Sequence, residues 1–170
     1  MGYEIRAFVA SRGMFKEFQT LSPYITVAEL HQGFGLLLND SYLLAALQIT
    51  THDAVAGFWY LSKQLLDFAI KLSHTAPIAY IEAEFFGGNG EQTAIVCQAG
   101  QIVLQRPDCD VILTGPIRNA PINSALRLLG VNAAGACDEF DATGLDQHRH
   151  MENWFAANTS FAAKDYQGVG

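Results

Sequence analysis

An α+β fold is expected, with a mainly antiparallel sheet packed against one long central helix and smaller helices beside it, and three observations on the chain point to it. Tyr3, Ile5, Ala7 and Val9 alternate with Glu4, Arg6 and Phe8 at the period of two that a strand with one buried face requires. Residues 78 to 106 repeat strand-like runs separated by glycine-containing turns. Residues 52 to 74 carry apolar side chains around most of a helical circumference. Strands joined by tight turns pair antiparallel, so the helices gather apart from them.

In chain order, residues 3 to 10 form the first strand. Met14 to Gln19 suits a short helical turn ended by Ser22-Pro23, Ile25 to Glu29 has strand character, and His31 to Asn39 stays open between strand and loop. Asp40 is a candidate cap for a helix from about Ser41 to Gln48. The clearest helix runs from His52 to His74, because Thr50 followed by Asp53 resembles a capping box and Pro77 bars continuation. Lys63, Asp67 and Lys71 make one polar stripe on it, while Phe58, Trp59, Leu65 and Phe68 belong to its apolar circumference and place it at the centre of the core.

Next comes a meander. Ala79, Ile81, Ala83 and Phe85 share one face of its first strand, and Tyr80, Glu82, Glu84 and Phe86 share the other. Gly87-Gly88-Asn89-Gly90 turns into a second strand, Gln92 to Gln98. Ala99-Gly100 turns that into a third, Gln101 to Arg106, so that Val96 faces Val103, Cys97 faces Ile102 and Ile95 faces Leu104. Val111 to Leu113 would add an edge strand. Pro121 opens and Gly130 closes a short helix, and Glu152 to Ala157 forms a last one. The expectation is a single α+β domain over residues 1 to 157 with residues 158 to 170 as a flexible tail.

At 170 residues, half of them hydrophobic and 16% charged, the chain suits one domain with a sizeable core. Three cysteines, an odd number at wide spacing, argue against a disulfide framework and for a reducing compartment. The opening Met-Gly-Tyr-Glu-Ile-Arg-Ala-Phe carries an acid and no long apolar run, so it does not read as a signal peptide, and no segment has the length of a membrane span. A cytoplasmic protein is expected. A net charge of −7 with the basic residues scattered singly speaks against nucleic acid and permits a partner with a basic surface.

The stretch from Cys137 to Trp154 concentrates charge, with Asp138, Glu139, Asp141, Asp146 and Glu152 standing against Arg149. Two chemistries compete for it. An acidic binding surface would include Asp138, Glu139 and Asp141 together with Glu82 and Glu84, which lie about 7 Å apart on one strand face. A divalent metal site would use His148 and His150, whose alternation puts both rings on one side of an extended segment, with Asp146 completing it. In each case there is a plain alternative: alternating carboxylates suit a solvated sheet face, and imidazoles often bond helix-end carbonyls. The glycines at 87 to 90 feed a strand rather than a helix, so they read as a turn and not a phosphate cradle.

Tyr80-Ile81-Glu82-Ala83-Glu84-Phe85-Phe86-Gly87-Gly88 with Gly90-Glu91-Gln92, then Pro121 to Val131, Asp138-Glu139-Phe140-Asp141 and His148-Arg149-His150, resemble blocks of a family of small bacterial cytosolic proteins without known activity. The resemblance covers roughly the second half of the chain. Members of such families are sometimes immunity proteins of toxin systems, so it implies a binding role and assigns no catalytic residue. Three functions are therefore expected to compete. The first is a non-enzymatic, acidic, immunity-like interaction protein that uses no cofactor. The second is a metal-dependent hydrolase or other small-molecule enzyme using His148, His150 and Asp146. The third is a homo-oligomer assembled through sheet edges.

Overall fold

The computed structural model describes residues 2–87, 89–110 (backbone alone at 108–110) and 119–157. Strands β1 (Tyr3–Ser11), β2 (Val27–Glu29), β3 (Phe34–Leu38), β4 (Ile78–Phe86), β5 (Asn89–Gln98) and β6 (Gln101–Asp110) form one antiparallel sheet in the order β2-β3-β1-β4-β5-β6. The helices are α1 (Lys16–Leu21), α2 (Ser41–Ala46), α3 (Lys63–Leu72), α4 (Pro121–Leu128), α5 (Glu139–Thr143) and α6 over residues 151–157. The α+β class holds.

Both faces of the sheet are covered, which the expectation of one wet face did not anticipate. Ile5, Ala7, Val9, Ala79, Ile81 and Val96 point to one side, where Ile122, Ala125 and Leu126 of α4 close over them with Leu145 and Trp154. Phe8, Leu37, Ile78, Tyr80 and Ile95 point to the other, beneath Phe15, Phe58, Leu61, Leu65 and Ala69. Alternation sends neighbouring residues to opposite faces, so a strand apolar at every position, such as Ala7 to Ala10, must be buried on both. The alanines under α4 allow that helix to lie close.

The central helix is shorter than expected. It begins at Lys63, not His52, because Ser62 is the residue whose side chain caps it, accepting from Leu65 N at 3.2 Å. Gly57 stands at φ +80 with its α-carbon against the Pro107 ring, a left-handed backbone inside what had read as one helix. Residues 53–63 instead make a loop closed by Val55 N to Leu61 O, Lys63 N to Asp53 O and an Ala54–Ser62 bridge. Phe58 and Leu61 reach the core from that loop, which is why the stretch looks helical in composition. The Asp40 cap on α2 is as expected, with Oδ1 accepting from Tyr42 N and Leu43 N at 3.0 Å each.

Two turns set the register of the meander. Ala99 (φ 50) and Gly100 (φ 76) are both left-handed, the type I′ geometry that matches strand twist. Cys97 faces Ile102 as expected, but an irregularity at the next position places Val96 opposite Leu104 and Ile95 opposite Gln105, one residue beyond the simple register. At the other end Phe86 pairs with Asn89, so the turn is two residues and β5 starts earlier than Gln92. The edge strand proposed at Val111 to Leu113 and the tail from 158 to 170 lie outside the described residues. Among the described residues no helix is long and apolar enough to cross a membrane.

Candidate functional site

The register of β1, β4 and β5 builds a graded face. Going along β1 toward its start, the paired rows on the α3 side read Phe8 with Tyr80, then Arg6 with Glu82 and Thr93, then Glu4 with Glu84 and Glu91. Directly paired residues share a face. The first row is core, the second is polar with Glu82 and Thr93 buried and Arg6 part-exposed, and the third reaches solvent, with Glu84 exposed and Phe86 beyond it 79% exposed. Like charges opposite one another oppose strand pairing, and Arg6 answers one of them through its bond to Glu4.

Glu82 is 1% exposed, and both of its carboxylate oxygens accept hydrogen bonds. Oε2 accepts from Trp59 N at 2.8 Å, while Oε1 accepts from Tyr60 N at 2.8 Å and from the Tyr80 hydroxyl at 2.9 Å. Burial, and then the Glu82 charge, push the Tyr80 phenol well above its ordinary value, which keeps it a donor. Asn39 Nδ2 donates to that hydroxyl at 2.8 Å and to Tyr60 O at 3.3 Å. Glu82 thus holds the 53–63 loop on the sheet, and with its oxygens so engaged it presents no acid to a surface or a substrate. Arg6 closes the rim, its guanidinium carbon 4.0 Å from the Tyr60 ring centre and its Nη2 2.8 Å from Glu4 Oε1. Arg6, Asn39, Asp40, Ser41, Trp59 and Tyr60 surround a cavity of about 390 Å³ beside this network.

The Asp138–Asp141 region is differently organised. Asp138 Oδ1 accepts from Asp141 N at 2.9 Å as the cap of α5, and its Oδ2 accepts from Asn123 Nδ2 at 3.1 Å. Glu139 is 7% exposed and bonds Arg127 Nε at 2.8 Å. Asp141 Oδ2 accepts from Cys137 N at 2.9 Å. Asp138 and Glu139 therefore tie α4 to α5, beside an open cavity of about 700 Å³. Of the five acids singled out in the sequence, Glu84 alone is exposed, and Glu82 and Glu84 lie apart from the other three in the fold.

His148 lies edge-on to Trp154, ring centres 4.6 Å apart, and His150 and Asp146 are exposed. Among the described residues no three His, Cys, Asp or Glu side chains gather as a metal-holding group. The residues that matter most here, Glu4, Arg6, Asn39, Trp59, Tyr60 and Glu91, were not singled out from the sequence. Recognising the two-residue turn after Phe86 would have paired Glu84 with Glu91, but nothing local announces that Trp59 and Tyr60 turn their amides toward Glu82. A scan against protein-family models, a search of curated proteins and a search of solved structures each returned no match to this chain.

Proposed function

We propose that the chain is a non-enzymatic interaction protein that recognises a partner with a basic surface. The observation that supports this reading most is Glu84, exposed at the open end of a sheet face where the register sets it between two further glutamates, Glu4 and Glu91. A basic partner would set its positive groups against the exposed Glu84 carboxylate. Phe86, Trp59 and Tyr60, exposed by 79, 41 and 47%, stand around the same end and supply the apolar area that interface centres require. The proposed role needs no cofactor and suits a cytoplasmic setting, and an immunity-like role would agree with the resemblance of the second half to small bacterial proteins.

The test is capture from the native host with wild type and a Glu84→Gln/Glu91→Gln variant, followed by titration of the recovered partner. The expected result is slower association for the variant and a weaker dependence on salt, with the melting midpoint nearly unchanged. A partner that binds both forms equally at every ionic strength would sink the acid row as the docking surface.

A further inference from the structure

Beside the acid row the sheet face falls into the cavity at Arg6, Asn39, Asp40, Trp59 and Tyr60, where the acceptors are unevenly occupied. Asp40 caps α2 through Oδ1, which takes both amide bonds, while its Oδ2 takes neither. Asn39 is 5% exposed, and its Oδ1 has no hydrogen-bond partner. That amide cannot be turned around, because Tyr60 O only accepts and Nδ2 must face it. A buried orphan acceptor therefore stands next in the chain to a carboxylate. Burial raises the Asp40 carboxyl above its usual range in spite of the α2 amides and Arg6, so further positive charge would relieve it.

The wall already holds one cation in the manner the cavity suits. Arg6 stacks on Tyr60 and bonds Glu4, while its Nε has no partner. Trp59 offers a second, half-exposed ring, and its amide bond to Glu82 fixes the backbone that carries it.

We propose that this cavity receives one cationic side chain, lysine or arginine, from the partner, seated between the Trp59 ring and the acceptors of Asp40 and Asn39. This rests on the reading that the partner is basic. Asp40 is the carboxylate of the cavity wall, which also carries Arg6 and His52, and an ammonium or guanidinium, all donor and no acceptor, matches both that carboxylate and the Asn39 oxygen that lacks a donor beside it. Asn39 Oδ1 is closed to solvent in the free protein, so the cation meets Asp40 first and reaches Asn39 only as the atoms over it give way.

The probes are blocked glycine-serine pentapeptides with a central lysine, arginine, norleucine or citrulline. The chain has two tryptophans, and Trp154 is 2% exposed, so a binding-dependent fluorescence shift reports Trp59. Expected is a saturable shift with lysine or arginine, weaker by roughly tenfold or more with the two neutral peptides. Asp40→Asn keeps a good helix cap, which its melting midpoint verifies, and is expected to weaken the cationic peptides by about the same factor. Equal binding of neutral and cationic peptides would overturn the cationic occupant. Cationic binding that Asp40→Asn leaves intact and Glu84→Gln weakens would overturn the cavity while leaving the basic-partner reading in place. No response from any of the four peptides at about 10 mM would overturn the proposal outright.

Discussion

Asp138, Glu139 and Asp141 are neighbours in sequence, and their carboxylates are committed inside the fold, whereas Glu4, Glu84 and Glu91 come from three strands and meet only through register. The first group answers its own charge with the N–H groups of a helix start, an asparagine and an arginine. The second sets like charges face to face, with Arg6 on Glu4 and Glu84 turned to solvent. Density of charge along a chain therefore says little about where a binding surface lies. A local cluster has local donors to satisfy it, while a row made by pairing is fixed by the backbone ladder whatever its side chains prefer.

The sharpest way to probe that contrast is at Glu82, the acid that sits between the two behaviours, engaged by hydrogen bonds like the first group yet placed by register like the second. Glu82→Gln replaces one acceptor oxygen with an NH2 that meets a backbone N–H, so it should cost about 3 kcal/mol. Denaturant unfolding measures the loss, and hydrogen exchange at the Trp59 and Tyr60 amides should accelerate along with it. A loss under about 1 kcal/mol would mean that the loop is held by Phe58 and Leu61 instead.

Asp138→Ala comes next, removing both the α5 cap and the bond from Asn123, at a cost of about 1 to 2 kcal/mol. Its melting midpoint should fall while capture of the partner at saturating concentration stays as in wild type. An unchanged midpoint with weakened capture would reverse the roles assigned to the two regions.

The smallest effect is expected at Glu84. Glu84→Gln removes a charge opposite Glu4, so stability should rise by less than about 0.5 kcal/mol, and the gain should shrink between about 0.01 M and about 1 M salt. Urea midpoints at the two ionic strengths would show it. Destabilisation instead would reveal a favourable partner for Glu84 within the fold.

Features that depend on neighbours along the chain were legible in the order of the residues. Alternation from Tyr3 predicted β1, Asp40 announced the α2 cap, Pro121 and Gly130 bracketed α4, and Ala99-Gly100 marked a hairpin. Each of these follows from local sterics or a hydrogen bond within a few residues, so composition and spacing suffice. Where the reading went astray, distant contacts had the deciding role. Residues 53–63 have the apolar content of a helix, yet Gly57 packs on Pro107 of another strand, Ser62 takes the cap, and Glu82 draws in the amides of Trp59 and Tyr60. Tertiary structure alone decided that Glu82 is buried while Glu84, two residues on and facing the same side, is exposed. The period of two fixes the side on which a residue falls but carries no information about how far along the strand the covering layer extends, and that limit, where the 53–63 loop stops over β4, separates a structural clamp from a candidate binding surface.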